Sequence, residues 1–177
     1  MRVTRIEAAQ HQLETALELW FADGDPVSIH SLASNAHQIV NDLNRNAKGP
    51  QLLFDSAAIK PESKKKVVAI LKAEQNFFKH ADMRKGKSAD AIEFDPSTRS
   101  ETFFYMAIKG LAFLGQPHTS IQTAFLVWLV LHRPDWVVGA HSWTKVSLDG
   151  IPVQIAERMR AYGRREFLEA FYQARGH

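Results

Sequence analysis

The residues best suited to chemistry are concentrated in one stretch, Lys72-Ala-Glu-Gln-Asn-Phe-Phe-Lys-His-Ala-Asp82. It places carboxylates, amides and an imidazole beside two lysines and two phenyl rings. An imidazole can transfer protons near neutral pH, and lysines attract anionic ligands. We therefore predict a site at the end of a helix, with Asn76 and His80, four residues apart, together on its flank.

Glu74 is the least expected residue of this stretch, because on a helix it falls within an apolar stripe that should face a core. A carboxylate there must reach water, find a partner or take up a proton, since an unpaired buried charge is unfavourable. Three interpretations of Glu74 are open. It is a core-edge carboxylate bonded to a neighbour, or a pocket residue that acts as a base, ligand group or metal ligand, or a solvated residue. The stripe comprises Val67, Ile70, Leu71, Phe77, Phe78 and Ala81.

A second helix supplies further polar candidates. His30 and His37 are seven residues apart, so they align on the edge of its apolar face, and Asn41 and Asn44 continue the same polar seam. These histidines either complete hydrogen bonds between helices or form one wall of a polar pocket.

A pocket inside the bundle would be lined by His30, His37, Glu74 and His80, with Phe77 nearby. Over both helices, the predicted ligand-binding residues are His30, His37, Glu74, Lys79 and Asp82. Histidine and carboxylate groups also bind divalent metals. The metal alternative uses His30, His37 and His80 with Glu74 or Asp82.

Helices must position these residues, because strand patterns are almost absent. Thr4 with Glu7 forms a capping-box pattern, and Asp25 with Pro26 opens the second helix. The extended segment Ala91 to Asp95 is assigned to a loop, and Gly139 to Gly150 is predicted to be irregular. The predicted helices run from Thr4 to Phe21, Pro26 to Asn44, Pro61 to the end of the stretch Lys72–Asp82, Ser97 to Leu114, and Thr119 to His132. A last helix, kinked around Gly163, runs from Pro152 to Ala161 and from Arg164 to Ala174.

The pattern predicts an all-α protein. We expect a single up-down helical bundle of four main helices plus an additional C-terminal helix, forming one domain over residues 1–177. The helix from Thr119 to His132 is apolar on all sides, so it is either central to the bundle or part of a subunit interface. We favour a homodimer through this helix.

Composition excludes several classes of protein. The chain has 177 residues, no cysteine and a net charge of +3, so it has no thiol chemistry and no charge excess that demands nucleic acid. Met1 to Gln10 is polar, unlike a signal peptide, and Ala124 to Leu131 is too short to span a bilayer. We therefore expect a cytoplasmic protein without a membrane partner. Phosphate-loop, dinucleotide-binding and His-Glu-x-x-His motifs are absent.

The stretch around Asn76 and His80 resembles the HEPN superfamily of small, all-α, commonly dimeric bundles. In many members a helix carries an Arg, a polar residue such as Asn, and a His after four intervening positions. Here Asn76 and His80 match the polar residue and the histidine, whereas Gln75 stands where the arginine would be. The helix Ile29 to Val40 is similar to the small-residue helix of such bundles. The stretch Gln75 to Asp82 also resembles bacterial proteins with the same core, which implies no function.

The resemblance implies metal-independent RNA cleavage or nucleotide binding. His80 would then transfer the proton and Asn76 would orient the phosphate, with Lys72 or Lys79 as the replacement cation. Whether the chain is an enzyme is left open. We therefore carry three hypotheses: a HEPN-like protein that binds a nucleotide, RNA or another anionic ligand; a small-molecule or metal pocket; and a non-catalytic dimeric interaction protein.

Overall fold

The computed structural model describes residues 1–53, 61–79, 91–94, 96–134, 147–148 and 151–176. Within these ranges the regular secondary structure is helical apart from one short hairpin, which confirms the all-α class. The helices are α1 (Arg5–Phe21), α2 (Pro26–Asn46), α3 (Pro61–Lys79), α4 (Pro96–Phe113), α5 (Ser120–His132), α6 (Val153–Met159) and α7 (Arg164–Ala174). The number of main bundle helices and their up-down order stay predictions.

The helix boundaries follow the capping signals in the sequence. At the start of α1 the backbone N–H of Thr4 donates to the Glu7 carboxylate over 2.7 Å, as the capping box predicts. Asp25 caps α2 by accepting the N–H of Ser28 over 2.7 Å. The two parts of the predicted kinked C-terminal helix are separate helices, α6 and α7, because the chain leaves the helical conformation before Gly163.

A two-residue hairpin precedes α6. Strand β1 (Ser147–Leu148) pairs in antiparallel register with β2 (Ile151–Pro152), with Ser147 opposite Pro152. The sequence predicted an irregular segment up to Gly150. Each strand has only two residues, so neither leaves an alternating pattern long enough to be read as a strand.

The chain divides into two compact units. The first contains Met1–Ala16 and Asp25–Pro117, and the second contains Leu17–Gly24 and His118–His177. In the first unit α2 packs against both α3 and α4, and in the second α5 packs against α7. The single domain over residues 1–177 stays a prediction.

Helices α2 and α4 approach each other closely at Gly110. A Cβ atom added to Gly110 would lie 2.7 Å from Leu52 Cδ1 and would also overlap Val40. The absence of a side chain therefore lets the two helix backbones come together. This contact fixes the spacing between the two helices that carry the buried polar residues of the first unit.

Helix α5 is buried within its own chain. Only Thr123 and Leu126 between Ile121 and Leu131 are partly exposed, and Trp128 is buried. Burial within its own chain is therefore sufficient to explain the apolar character of α5. The homodimer through Thr119 to His132 stays a prediction.

No helix in the described ranges is long and apolar enough to cross a membrane.

Candidate functional site

Helix α3 carries its polar residues on two different faces. Glu74 is 1% exposed and Gln75 is 4% exposed, whereas Asn76 and Lys79 are open to solvent. The predicted core residues Leu71, Phe77 and Phe78 are only half-buried. The residues predicted to form one site are therefore divided between the interior and the surface.

The buried face centres on an ion pair between Glu74 and Arg99. Arg99 lies in the first turn of α4 and donates through Nη1 to Glu74 Oε1. The Arg99 side chain is 34% exposed and that of Glu74 is 1% exposed, so the pair reaches solvent on the Arg99 side. The solvated alternative for Glu74 is therefore wrong, because α4 supplies a cation that compensates the buried charge.

His30 completes this interior group. Its Nε2 lies 3.6 Å from Glu74 Oε2, and its Nδ1 lies 3.4 Å from the Oγ atom of Ser100. The imidazole is fully buried, although the sequence placed it at the edge of the helix face. We name His30, Glu74, Arg99 and Ser100 the interior quartet.

Aromatic rings enclose the imidazole of His30. The ring centroids of Phe94, Phe103 and Phe78 lie 5.0, 5.4 and 6.1 Å from it, all edge to face. Burial lowers the pKa of His30 to about 4, and the positive charge of Arg99 acts in the same direction. His30 is therefore neutral near pH 7, and the quartet holds one negative and one positive charge.

The order hydroxyl, imidazole, carboxylate invites comparison with a nucleophilic triad. The tautomer of His30 that fits this order carries its hydrogen on Nε2. In this tautomer the Ser100 hydroxyl donates to Nδ1 of His30, and the Nε2–H of His30 points toward Glu74 Oε2. Two features oppose catalysis by this row. Ser100 is 0% exposed, so no substrate reaches its Oγ, and the low pKa of His30 makes the imidazole a weak base.

The quartet also contains two unsatisfied atoms. His30 Nε2 and Glu74 Oε2 face each other, and neither has a hydrogen-bond partner among the described residues. Buried polar atoms normally have partners, so this gap is the feature of the interior that most resembles a binding position. The remaining interior polar side chains of α2 are Ser34, His37, Asn41 and Asn44.

His37 lies apart from the quartet, on the same ring of α4 that His30 contacts. Its ring is 5.2 Å from Phe103, and its side chain is fully buried. The two histidines thus occupy the interior between α2 and α4 rather than the predicted edge. The reason is Phe103, which offers an aromatic surface to both imidazoles.

Gln75 links α3 to α2. Its Nε2 donates to the backbone oxygen of Ser34 over 3.3 Å and to Asn35 Oδ1 over 3.4 Å. The position that resembles the HEPN arginine therefore faces α2 and is occupied by a structural amide. Gln75 is buried, whereas Asn76, the next residue, and Lys79, one helical turn further on, are exposed.

The exposed face of α3 is basic. Lys65, Asn76 and Lys79 are exposed and Lys72 is half-buried, and the four share one helical face. Partial burial lowers the pKa of Lys79, and the charge of Lys72 lowers it further. From Lys65 to Lys79 the only acidic residue in the sequence is Glu74, which points into the interior. We name these four residues the basic face.

Arg99 and Ser100 are the members of the interior quartet that the sequence reasoning missed. Arg99 lies one helical turn before the core residue Phe103, which places it on the inward side of α4. The buried Glu74 carboxylate on α3 requires a cation from another helix. The inward position of Arg99 on α4 was the sequence signal that could have identified that cation. His80 and Asp82 lie outside the described residues, so their positions stay predictions.

The metal alternative gains no geometric support in the part of the chain described. No group of three or more His, Cys, Asp or Glu side chains there could hold a metal ion. His30 and Glu74 do come together, but His37 lies about two helical turns further along α2, beside Phe103, and Arg99 occupies one carboxylate oxygen. The full predicted set also requires His80.

Comparison with known proteins gives no match: no protein-family model, no curated protein and no solved structure is significantly similar to this chain. The site must therefore be interpreted from its own chemistry.

Proposed function

We propose that this chain is a HEPN-like helical protein that binds a nucleotide, RNA or another anionic ligand on the basic face of α3. The observation that carries the proposal is the pair of lysines, Lys72 and Lys79, on one solvent-accessible face with Asn76 between them. Partial burial lowers the pKa of Lys79 and the charge of Lys72 lowers it further, and a bound anion would favour the charged form of Lys79.

The residue types suit a phosphate ligand. Lysine ammonium groups neutralise phosphate charge, and the Asn76 amide can donate to a phosphate oxygen or pair with a base edge. His80, the residue after Lys79, is predicted to join this group and to transfer the proton if the ligand is a cleavable RNA. Because Gln75 is turned toward α2, Lys72 and Lys79 would supply the cation that cleavage requires.

The interior quartet would support this face without touching the ligand. Arg99 and His30 hold Glu74 from α4 and α2, and Gln75 bonds to α2. These contacts fix the rotation of α3 and thereby keep Lys72, Asn76 and Lys79 turned outward.

The test is a titration of the protein with a nucleotide and with an RNA oligonucleotide at low salt, by calorimetry or fluorescence anisotropy. Asn76→Asp is nearly isosteric and places a carboxylate between the two lysines, so we expect it to abolish binding without loss of helical structure. Lys72→Gln with Lys79→Gln should weaken binding strongly. The control is Lys109→Gln, an exposed lysine on α4.

Two results would count against the proposal. The first is an affinity of Asn76→Asp equal to that of the wild type. The second is the absence of saturable binding by any nucleotide or RNA at low salt, where electrostatic binding is strongest.

A second candidate is a small-molecule or metal pocket within the first unit. It is favoured by the two unsatisfied atoms of the quartet, which face each other at 3.6 Å. A ligand group that both donates and accepts hydrogen bonds would satisfy them. Native mass spectrometry and metal analysis of the purified protein test this candidate, which predicts a bound molecule or ion that His30→Phe abolishes and His11→Phe retains.

A further inference from the structure

The first turn of α5 contains hydrogen-bond donors that have no acceptor among the described residues. Thr119 precedes this 13-residue helix as its N-cap, with extended backbone angles (φ −80°, ψ 164°). The backbone N–H groups of Ser120 and Ile121 come too early in the helix for an intrahelical acceptor, and they donate to no other described group. Free N–H groups and the helix dipole together make such a turn electropositive.

Two buried side-chain atoms at the same turn also lack a partner. Gln122 is 1% exposed, and its Oε1 lies 3.5 Å from the backbone N of Thr119, so its amide folds back over the start of the helix. Because Oε1 faces that N–H group, the other amide atom, Nε2, is a donor. Neither Nε2 of Gln122 nor Oγ1 of Thr119 has a hydrogen-bond partner among the described residues. Both atoms are buried, so bulk water does not replace the missing acceptor.

The sequence around α5 provides no carboxylate for these donors. Helices α1 and α7 carry Glu7 and Glu166 at their third position, and each carboxylate accepts the N–H of its N-cap residue. At the same position α5 has the neutral amide of Gln122, and no acidic residue occurs between Glu101 and Asp135. A glutamine keeps the acceptor for the N-cap residue and adds a donor that glutamate lacks. An acceptor with more than one oxygen atom would satisfy the donors together.

We infer that the start of α5 binds an oxyanion, a carboxylate or phosphate group, through its first N–H groups, the Gln122 amide and the Thr119 hydroxyl. His118 and Ser120 are exposed, so the turn is open to solvent on one side. One oxygen of the anion accepts from the N–H groups of Ser120 and Ile121, and another accepts from the deeper amide and hydroxyl. This site shares no residue with the basic face of α3 and does not depend on the proposed function.

The experiment follows the backbone amide signals of Ser120 and Ile121 by two-dimensional NMR. Sodium phosphate or sodium acetate is added at constant ionic strength, with sodium chloride as the reference. We expect saturable shifts with phosphate, acetate or both, and the comparison identifies the preferred group. Gln122→Glu retains the acceptor for the Thr119 N–H but replaces the donor with a charged oxygen, so it should abolish the shifts. Thr119→Val removes one hydrogen bond to a charged group and should weaken binding at least about tenfold.

The control is Gln173→Glu, which makes the same change in charge at an exposed position of α7 and should retain the shifts. If Gln122→Glu does not fold, Gln122→Met removes the amide without adding a charge, and the same loss is expected. Shifts that chloride produces equally, or wild-type affinity in both the Gln122 and Thr119 variants, would overturn the inference. Loss of the shifts in the Lys72→Gln, Lys79→Gln double variant would overturn it too, because the anion would then belong to the basic face.

Discussion

At the scale of single residues, the first unit is distinguished by ionisable groups in its interior. Glu74 and His30 are almost inaccessible, and each contacts a polar atom from another helix. Such groups specify one packing arrangement, because any shift of the helices would leave a charge without its partner. Two predictions test how these groups are stabilised.

The stability of the protein should depend on pH through His30. Its pKa is about 4 in the folded chain, against about 6.5 in an unfolded chain. Between these values the unfolded state binds more protons, so the free energy of unfolding falls as pH decreases from about 6.5 to about 4, by up to roughly 3 kcal/mol. Urea unfolding at a series of pH values measures this dependence.

The matched variants are His30→Gln and His11→Gln, since His11 is exposed. His30→Gln should flatten the decline of stability in this pH window, whereas His11→Gln should retain it. An equally steep decline in His30→Gln and in the wild type would show that His30 is not the group responsible.

Loss of Arg99 should destabilise the fold. Arg99→Met leaves the Glu74 carboxylate buried without its cation, which typically costs about 3 kcal/mol. The double variant Glu74→Met, Arg99→Met removes both charges and should recover part of that loss. Chemical denaturation gives the free energies of unfolding.

Arg160→Met provides the comparison at the surface. Arg160 pairs with Glu157 over 3.3 Å, and both side chains are nearly half exposed. Such pairs contribute about 0–1 kcal/mol, so the change should be small. A loss in Arg99→Met no greater than in Arg160→Met would argue against a compensated buried charge at Glu74.

At the scale of elements, helix packing places the polar groups. Helix α2 packs against both α3 and α4, and its small residues Ala33, Ser34 and Ala36 are fully buried. Small side chains let neighbouring helices come close, so His30 can meet groups from both. On α4, Gly110 has the same role.

Gly110→Ala should therefore lower stability although alanine favours helices. The new Cβ would overlap Val40 and approach Leu52, and overpacking of this kind costs about 1–3 kcal/mol. Thermal and urea unfolding measure the loss. Gly163→Ser is the comparison, because Gly163 has no atom within 4 Å of its added Cβ and caps α7, where serine should raise stability by a few tenths of a kcal/mol. A fully stable Gly110→Ala would contradict the close approach.

At the scale of the whole molecule, the open question is self-association. Helix α5 leaves Leu126 partly exposed, whereas Trp128 contacts Trp20 and His132 at centroid distances of 4.6 and 4.4 Å. Leu126→Lys is thus the substitution that tests the predicted homodimer, since Trp128→Arg would instead disrupt the core.

We predict that Leu126→Lys shifts a homodimer formed through α5 toward monomer while the fold is retained. Sedimentation velocity over a range of concentrations measures the mass, and circular dichroism measures the helical content. A wild-type protein that is monomeric at every concentration, or a variant that dimerises as well as the wild type, would exclude this interface.

The sequence by itself determined the local features of this protein. Thr4 and Asp25 predicted the starts of α1 and α2, because a capping side chain bonds to backbone groups only three residues away. Apolar periodicity predicted the all-α class for the same reason: its signal lies within a few turns of chain. The unusual position of Glu74 was also visible as a polar residue within an apolar stripe.

Only the tertiary structure decided which residues compensate that charge. Arg99 is separated from Glu74 by 25 residues and His30 by more, and no local pattern records which helices meet. The same packing buried Gln75 against α2 and turned Asn76 and Lys79 outward. The polar residues of the stretch Lys72–Asp82 are therefore divided between the interior and the surface of the protein. The physical reason is that long-range partners are set by how helices pack, whereas sequence patterns report only on neighbours along the chain.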